Sequence, residues 1–250
     1  MIKKFLTAFG DYFLLLGKAM RAPQKRAVFW KLFMREVNDL GVNSFGLVVF
    51  TSIFVGAVVA IQMYNNFKTA IIPIPTSFVG YATKAVLVLE FSPTIISLIL
   101  AGKVGSYIAS SIGAMRVSEQ IDALDIMGVN SPNFLILPKI LASVIFNPIL
   151  IALSITVGIG GGYLAGIITG NWTSGDYITG IQMFMPNLFY TYAFIKTVVF
   201  AFIIATVPSY FGYNVSGGSL EVGRASTQAV VWTMVFIIIS ELFLTQMILS

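Results

Sequence analysis

The chain has 250 residues, 57% hydrophobic and 10% charged, with a net charge of +5 and a mean hydropathy of +0.90. A soluble globular chain carries about a quarter charged residues, so the bilayer is the solvent this composition suits. With neither Cys nor His, disulfides, thiolate metal sites, cysteine nucleophiles and imidazole acid-base chemistry are excluded, leaving carboxylates, hydroxyls and Lys.

Eight of the fifteen basic residues precede Glu36, a distribution that suits an anionic leaflet and not nucleic acid. Phe5, Phe9, Tyr12, Phe13, Leu16 and Met20 recur at helical spacing, while Lys3, Lys4, Thr7, Asp11 and Lys18 fall mostly elsewhere. This is the pattern of a helix lying in the interface. Asp11 interrupts the apolar stretch and no small-x-small site follows, against a signal peptide. After Pro23 the pattern resumes with Val28, Phe29, Leu32, Phe33 and Val37 against Lys25, Lys31, Arg35 and Asp39. Residues 1–40 are therefore expected to be one bent interfacial amphipathic element, and a soluble helix packed on a partner is the plain alternative.

The remainder, residues 41–250, reads as one transmembrane domain. Val42 to Met63 is an uncharged run of 22 residues, and about 20 residues cross a bilayer. Pro73 and Pro75 mark the loop after it. Residues 79–112 are apolar but carry Lys84, Glu90 and Lys103, and their length allows a long or tilted span. The polar stretch 117–129 reads as a short bounded helix, with Ser118 before it and Pro132 beyond Gly128. Residues 134–169 form an apolar segment broken by Pro138 and Pro148. Its Gly158, Gly160, Gly161, Gly162 and Gly166 permit close helix contact. A loop from Gly170 to Asn187 leads to spans at 188–211 and 229–249.

The expected fold is thus an all-α integral membrane protein: an interfacial amino-terminal helix, about five transmembrane helices and a short cytoplasmic helix. With the amino terminus inside, the cytoplasmic side receives the eight early basic residues with Lys103, Arg116, Lys139 and Arg224, and the outer loops keep Lys68 and Lys84. The positive-inside rule chooses amino terminus in and carboxyl terminus out. No repeat of 20 to 50 residues and no inverted halves are visible.

In the polar island, Glu119, Asp122 and Asp125 at i, i+3 and i+6 give an acidic face, and Ile121, Leu124 and Met127 or Gly128 an apolar one. A docking element for a soluble partner needs such a helix. A helix merely resting on lipid is the alternative, although an anionic leaflet would repel three acids. Glu90 inside an apolar segment is by default a functional-site hypothesis. Lys84 and Lys103, six and thirteen residues away along the helix, are too far to pair with it. Either Lys196 is its partner or it sits protonated against the Pro93 turn, and a purely structural ion pair is the competing reading. Glu241 fits no motif and reads as structural. Gly217, Gly218 and Gly223 around Glu221 and Arg224 form a loop open to close backbone approach; it lacks the Lys-Ser/Thr ending of a phosphate-binding loop.

The stretch G-K-V-G-S-Y-I-A-S-S-I-G-A-M-R-V-S-E-Q-I-D-A-L-D-I-M-G-V-N-S-P-N-F-L-I-L-P-K, Gly102 to Lys139, resembles the core signature of the MlaE/YrbE family of ABC permeases. So do E-F-S-P at Glu90 to Pro93, F-V-G-A-V-V-A-I-Q at Phe54 to Gln62 and G-Y-N-V-S-G-G-S-L-E-V-G-R-A-S-T-Q-A-V-V at Gly212 to Val231. The likeness covers most of the chain from residue 45. It implies a homodimeric permease of the bacterial inner membrane, moving phospholipid between that membrane and a periplasmic MCE-domain protein and so maintaining outer-membrane lipid asymmetry. A separate cytoplasmic ATPase would use ATP and Mg, this chain itself binding no cofactor or metal, and the assembly admits a small STAS-type subunit. Carried over by position, Glu119, Gln120, Asp122, Ala123, Leu124, Asp125, Met127 and Gly128 would couple to the ATPase. Glu90, Pro93, Lys103 and Lys196 would line the lipid pathway, and Gly217, Gly218, Glu221 and Arg224 the last cytoplasmic loop. The sequence has Lys103 and Lys139 where the family commonly has Arg, and Ser111 where it has an acid. Lys keeps the charge but loses the bidentate fork.

Two other readings stand beside this one. An intramembrane enzyme lacks its usual tools here, with no His and no paired intramembrane aspartates. A small-solute ABC permease is nearer, because Asp122, Ala123, Gly128, Leu137 and Pro138 loosely echo the acid-Ala-x-x-x-x-Gly loop of that class. A path rich in Phe, Leu and Met favours acyl chains over a polar solute.

Overall fold

The computed structural model describes residues 2–21, 26–71 and 74–249. Pro23, Lys25 and Pro73, and the side chains of Lys3, Lys4 and Phe5, used above as sequence signals, lie outside what is described. In chain order the helices are α1 (Ile2–Ala19), α2 (Arg26–Lys68), α3 (Ser77–Val117), α4 (Gln120–Ile126), α5 (Ser131–Thr169), α6 (Ser174–Gln182), α7 (Asn187–Tyr213) and α8 (Ser219–Leu249). Among the described residues there is no strand. Helices α2, α3, α5, α7 and α8 are long and apolar enough to span a membrane. Large apolar side chains stay exposed along them, such as Phe50, Phe54 and Val58 on α2 and Ile238, Leu242 and Phe243 on α8. A helix apolar on every side requires an apolar surrounding.

The structure divides the chain differently from the sequence in three places. The expected boundary at residue 40 falls inside α2, where Val37–Gly41 is π-helical and Val42–Ser44 is a 3₁₀ turn. No proline interrupts that stretch, so the backbone continues through it. Pro138 and Pro148 do not break α5, which runs unbroken from Ser131 to Thr169; neighbouring helices make such prolines tolerable inside membranes. The expected loop 170–187 contains α6, whose first turn is capped by Thr173 Oγ1 accepting the Asp176 N–H at 3.1 Å.

Two further π-helical stretches lie in α3, at Leu87–Ile95 and Ala101–Gly105. Each of the three carries one charged residue: Asp39, Glu90 and Lys103. π-Helical turns are rare and occur often at functional sites.

The helices form two compact units. One comprises the chain up to Asn43 with Leu98–Phe146 and Val199–Phe243. Here α1 is tied down: Tyr12 donates to Thr206 Oγ1 at 2.7 Å, Asn130 Nδ2 to Lys18 O at 3.0 Å, and Asn133 Nδ2 to Ala19 O at 2.8 Å and to Arg21 O. The asparagines thus serve the orphan carbonyls at the end of α1. Leu15 and Ala19 are buried, while Phe9, Phe13 and Met20 remain exposed. The apolar residues of α1 therefore divide between protein and surroundings.

The other unit comprises Ser44–Ser97, Asn147–Val198 and the last residues from Leu244. A Cβ on Gly56 would collide with the Gly158 backbone, and one on Gly161 with Ile53 O, so α2 and α5 touch backbone to backbone. Ser52 Oγ donates to Val48 O at 2.6 Å and lies 2.8 Å from Ser154 Oγ, which donates to Ser92 Oγ at 3.1 Å. That buried hydroxyl chain joins α2, α5 and α3. Ala60, Val79, Ala165, Trp172 and Tyr177 form an apolar core. Lys84, 6% exposed, donates to Ile181 O and Met183 O at 2.7 Å each, placing a cation at the carboxyl end of α6, as the helix dipole favours.

Candidate functional site

Two left-handed residues bound helix α4. Glu119, with φ 58°, follows the end of α3, and its carbonyl accepts the first bond of α4 from Ala123 N at 3.0 Å. Gly128, with φ 73°, closes the other end: its N–H donates to Asp125 O and that of Val129 to Leu124 O, both at 3.0 Å. The second pattern is a Schellman closure, for which glycine is suited. Glu119 therefore sits in the turn and not on an acidic face of α4, a correction to the i, i+3, i+6 reading. A left-handed residue takes the chain out of the helical register on which that spacing rests.

Of the expected apolar face, Ile121 is fully buried and Leu124 half-buried, but Met127 is 68% exposed. Ile126, which the sequence reading did not single out, is 87% exposed. Gln120, Asp122, Ala123 and Asp125 are exposed. The helix thus presents two acids beside an apolar tip and is anchored from beneath by Ile121. Arg116 Nη1 pairs with Asp122 Oδ1 at 2.7 Å, and its guanidinium lies 5.7 Å from the Tyr213 ring centroid. The Tyr213 hydroxyl is 2.8 Å from Ser131 Oγ. The chain Asp122, Arg116, Tyr213, Ser131 links α4 to the ends of α3, α7 and α5.

In the other unit, Glu90 meets Lys196, one of the two alternatives the sequence left open. Lys196 Nζ, wholly buried, lies 2.9 Å from Glu90 Oε2 and donates to Leu89 O at 2.7 Å. Leu89 and Pro93 both lie in the π-helical stretch Leu87–Ile95, where backbone bonding departs from the α-helical pattern. The Lys196 ammonium also stands 4.7 Å from the Tyr192 ring centroid, a cation–π contact. Glu90 keeps 44% of its side chain exposed. Lys103, grouped with these residues in the sequence reading, belongs to the first unit and donates to Asn43 O.

Lys139 pairs with Glu36 at 2.6 Å, both largely buried, and lies 5.5 Å from the Tyr107 ring centroid. Ser111 donates to Ile108 O in its own helix. Of the expected last loop, Gly217 precedes α8 and has φ 116°, but Glu221, Gly223 and Arg224 lie in the first turns of α8, a correction to the loop reading, and Glu221 and Arg224 pair there at 2.6 Å as an exposed i, i+3 couple. Val215 and Val222 come so near Gly113 that a Cβ there would lie 3.4 and 3.2 Å from them. The loop at Val215 and the start of α8 at Val222 therefore pack on α3.

The family profile described as Permease MlaE matches residues 33–247. A probable ABC transporter permease protein of Rickettsia typhi is 34% identical over 98% of this chain and 93% of its own. One of Synechocystis is 32% identical over 85% of this chain and 80% of its own. The intermembrane phospholipid transport system permease protein MlaE of Haemophilus influenzae is 28% identical over 98% of this chain and 97% of its own. With a match that takes in all five membrane-length helices, this chain belongs to the MlaE family of ABC transporter permeases.

Proposed function

We propose that the protein is the membrane-embedded subunit of an ABC transporter for phospholipid, docking its ATPase through α4 and working as a homodimer with a periplasmic MCE-domain protein. A small STAS-type subunit is compatible with the same assembly. Nucleotide and Mg belong to the ATPase in this reading.

The carrying observation is the form of α4: an exposed tip of Ile126 and Met127 flanked by Asp122 and Asp125, fixed by left-handed residues at both ends. Rigid ends transmit displacement where a frayed helix would absorb it. A push on α4 passes through Arg116 and Tyr213 to the ends of α3, α7 and α5. The name of the Haemophilus relative supports phospholipid as cargo, as do spans apolar enough to face acyl chains.

Of the fifteen basic residues, twelve fall in the segments of the unit that holds α4. The positive-inside rule then puts α4 and the amino terminus at the cytoplasmic face of a bacterial inner membrane and the carboxyl terminus in the periplasm. Replacing Asp122 and Asp125 together by Lys tests the docking: loss of ATPase co-purification from the native host is expected, and undiminished assembly would refute it.

A further inference from the structure

Between two of the π-helical turns lies a recess of about 300 Å³, lined by Asp39, Leu40, Asn43, Lys103, Val104 and Tyr107. We propose that it binds the zwitterionic phosphate–amine headgroup of a glycerophospholipid, Lys103 receiving the phosphate and Asp39 the amine. This rests on the lipid-transport reading and names the class of lipid.

Its chemistry is the first argument. Val37–Gly41 supplies Asp39 and Leu40 to one wall, and Ala101–Gly105 supplies Lys103 and Val104 to the other. Two rare helical distortions therefore each bring one charge of opposite sign to a single small space. Among the described residues these two make no ion pair with each other. Lys103 donates to the Asn43 carbonyl, which leaves two of its three ammonium protons. Asp39 is held by the Tyr107 hydroxyl at 3.2 Å and, from the rim, by Arg35 at 3.6 Å. Arg35 is 74% exposed, and so open a pair is weak and readily exchanged. A ligand carrying both a phosphate and an amine satisfies both walls. A purely anionic headgroup gains Lys103 but meets the Asp39 carboxylate.

Size and surroundings agree. Sites for whole small molecules run from about 300 to 1,000 Å³, so this recess takes a headgroup and leaves the acyl chains outside. Val42, next to the recess-lining Asn43 in sequence, is 51% exposed, an apolar side chain against which acyl chains can lie.

The test titrates the full-length protein, purified in mild detergent and stripped of lipid, with dihexanoylphosphatidylethanolamine, dihexanoylphosphatidylglycerol and free phosphoethanolamine, read by calorimetry. Loss of one charge-assisted contact is expected to weaken phosphatidylethanolamine about tenfold in both Asp39→Asn and Lys103→Gln. Phosphatidylglycerol is expected to weaken only in Lys103→Gln, and Lys103→Arg to restore binding. Variants are compared only where thermal unfolding matches the wild type, and Asn at position 39 keeps an acceptor for the Tyr107 hydroxyl. Phosphatidylethanolamine binding indifferent to both variants overturns the site. Free phosphoethanolamine displacing the lipid at equal concentration overturns the lipid as its source. Lipid flux in the assembled transporter is measured separately, so absent flux with intact recess binding counts against the transport reading alone.

Discussion

Lys196 Nζ reaches both Glu90 Oε2, at 2.9 Å, and the Leu89 carbonyl, at 2.7 Å. One buried cation therefore serves a backbone carbonyl and a carboxylate in the same turn. The two partners differ in burial, Lys196 being fully buried and Glu90 44% exposed. Glu90→Leu, which removes a carboxylate from beside a buried ammonium, is expected to cost at most about 3–5 kcal/mol. Lys196→Met, which withdraws the cation from a carbonyl and a half-exposed acid, should cost less, about 1–3 kcal/mol. Thermal unfolding of the purified variants checks the order, and the double variant should recover part of the Glu90→Leu loss.

Arg116 carries the link from α4 to Tyr213, yet its partner Asp122 is 53% exposed. Such a pair contributes at most about 1 kcal/mol to stability. Arg116→Ala is accordingly expected to leave unfolding and ATPase co-purification almost unchanged while lowering lipid flux per ATP hydrolysed. Arg116→Lys keeps the charge without the planar fork and should fall between. Flux and hydrolysis measured together in proteoliposomes decide this.

Left-handed backbone at Glu119 and Gly128 gives opposite outcomes. A side chain at positive φ costs roughly 1–2 kcal/mol, so Glu119→Gly should stabilise α4 and Gly128→Ala, at φ 73°, should loosen it by a similar amount. Hydrogen exchange across residues 120–129 reads both.

Asn133, 6% exposed, donates to the carbonyls of Ala19 and Arg21. Asn133→Asp and Asn133→Ala both remove the donor and should cost about 1–3 kcal/mol. Each is expected to speed tryptic cleavage at Arg21, whereas Asn130→Ala, which frees Lys18 O and removes the Oδ1 acceptor of the Asn133 N–H but leaves the Asn133 side chain on Ala19 O and Arg21 O, should do so less.

Burial pushes the Tyr177 phenol up to about 12. Its proton is held more tightly in the folded protein than at the ordinary value of about 10. That stability is complete below pH 10 and is lost as pH rises toward 12. Tyr177→Phe should flatten the alkaline limb of the unfolding curve between those values. At the other extreme, hydrogen bonds from Thr76 and then Thr173 hold the exposed Asp176 carboxyl below the usual carboxylate range. Its contribution is present above about pH 4 and fades as pH falls through the depressed value.

Hydropathy found the five spans because composition and length set them. It did not find the continuity of α2 across residues 37–44 or the π-helical turns at Asp39, Glu90 and Lys103, since hydrogen-bond register depends on neighbouring helices and leaves no periodic mark. Helix α6 was hidden by its Ser, Gly and Thr, although Thr173 followed three residues later by Asp176 was an available capping signal. The polar island was legible as an element, but the placement of its side chains was not. Glu119 takes a conformation that sequence assigns to Gly, and Ile126 faces outward. The Glu90–Lys196 pair could be named as one of two possibilities because a buried acid demands a partner and few cations lie within the spans.

Native mass spectrometry of the tagged protein from its own host, in mild detergent, tests the central claim most directly. The account predicts two copies of this chain with an ATPase, an MCE-domain protein and bound phospholipid, and loss of the ATPase alone in the Asp122→Lys, Asp125→Lys variant. A wild-type chain that carries its ATPase but neither phospholipid nor an MCE-domain partner would contradict it.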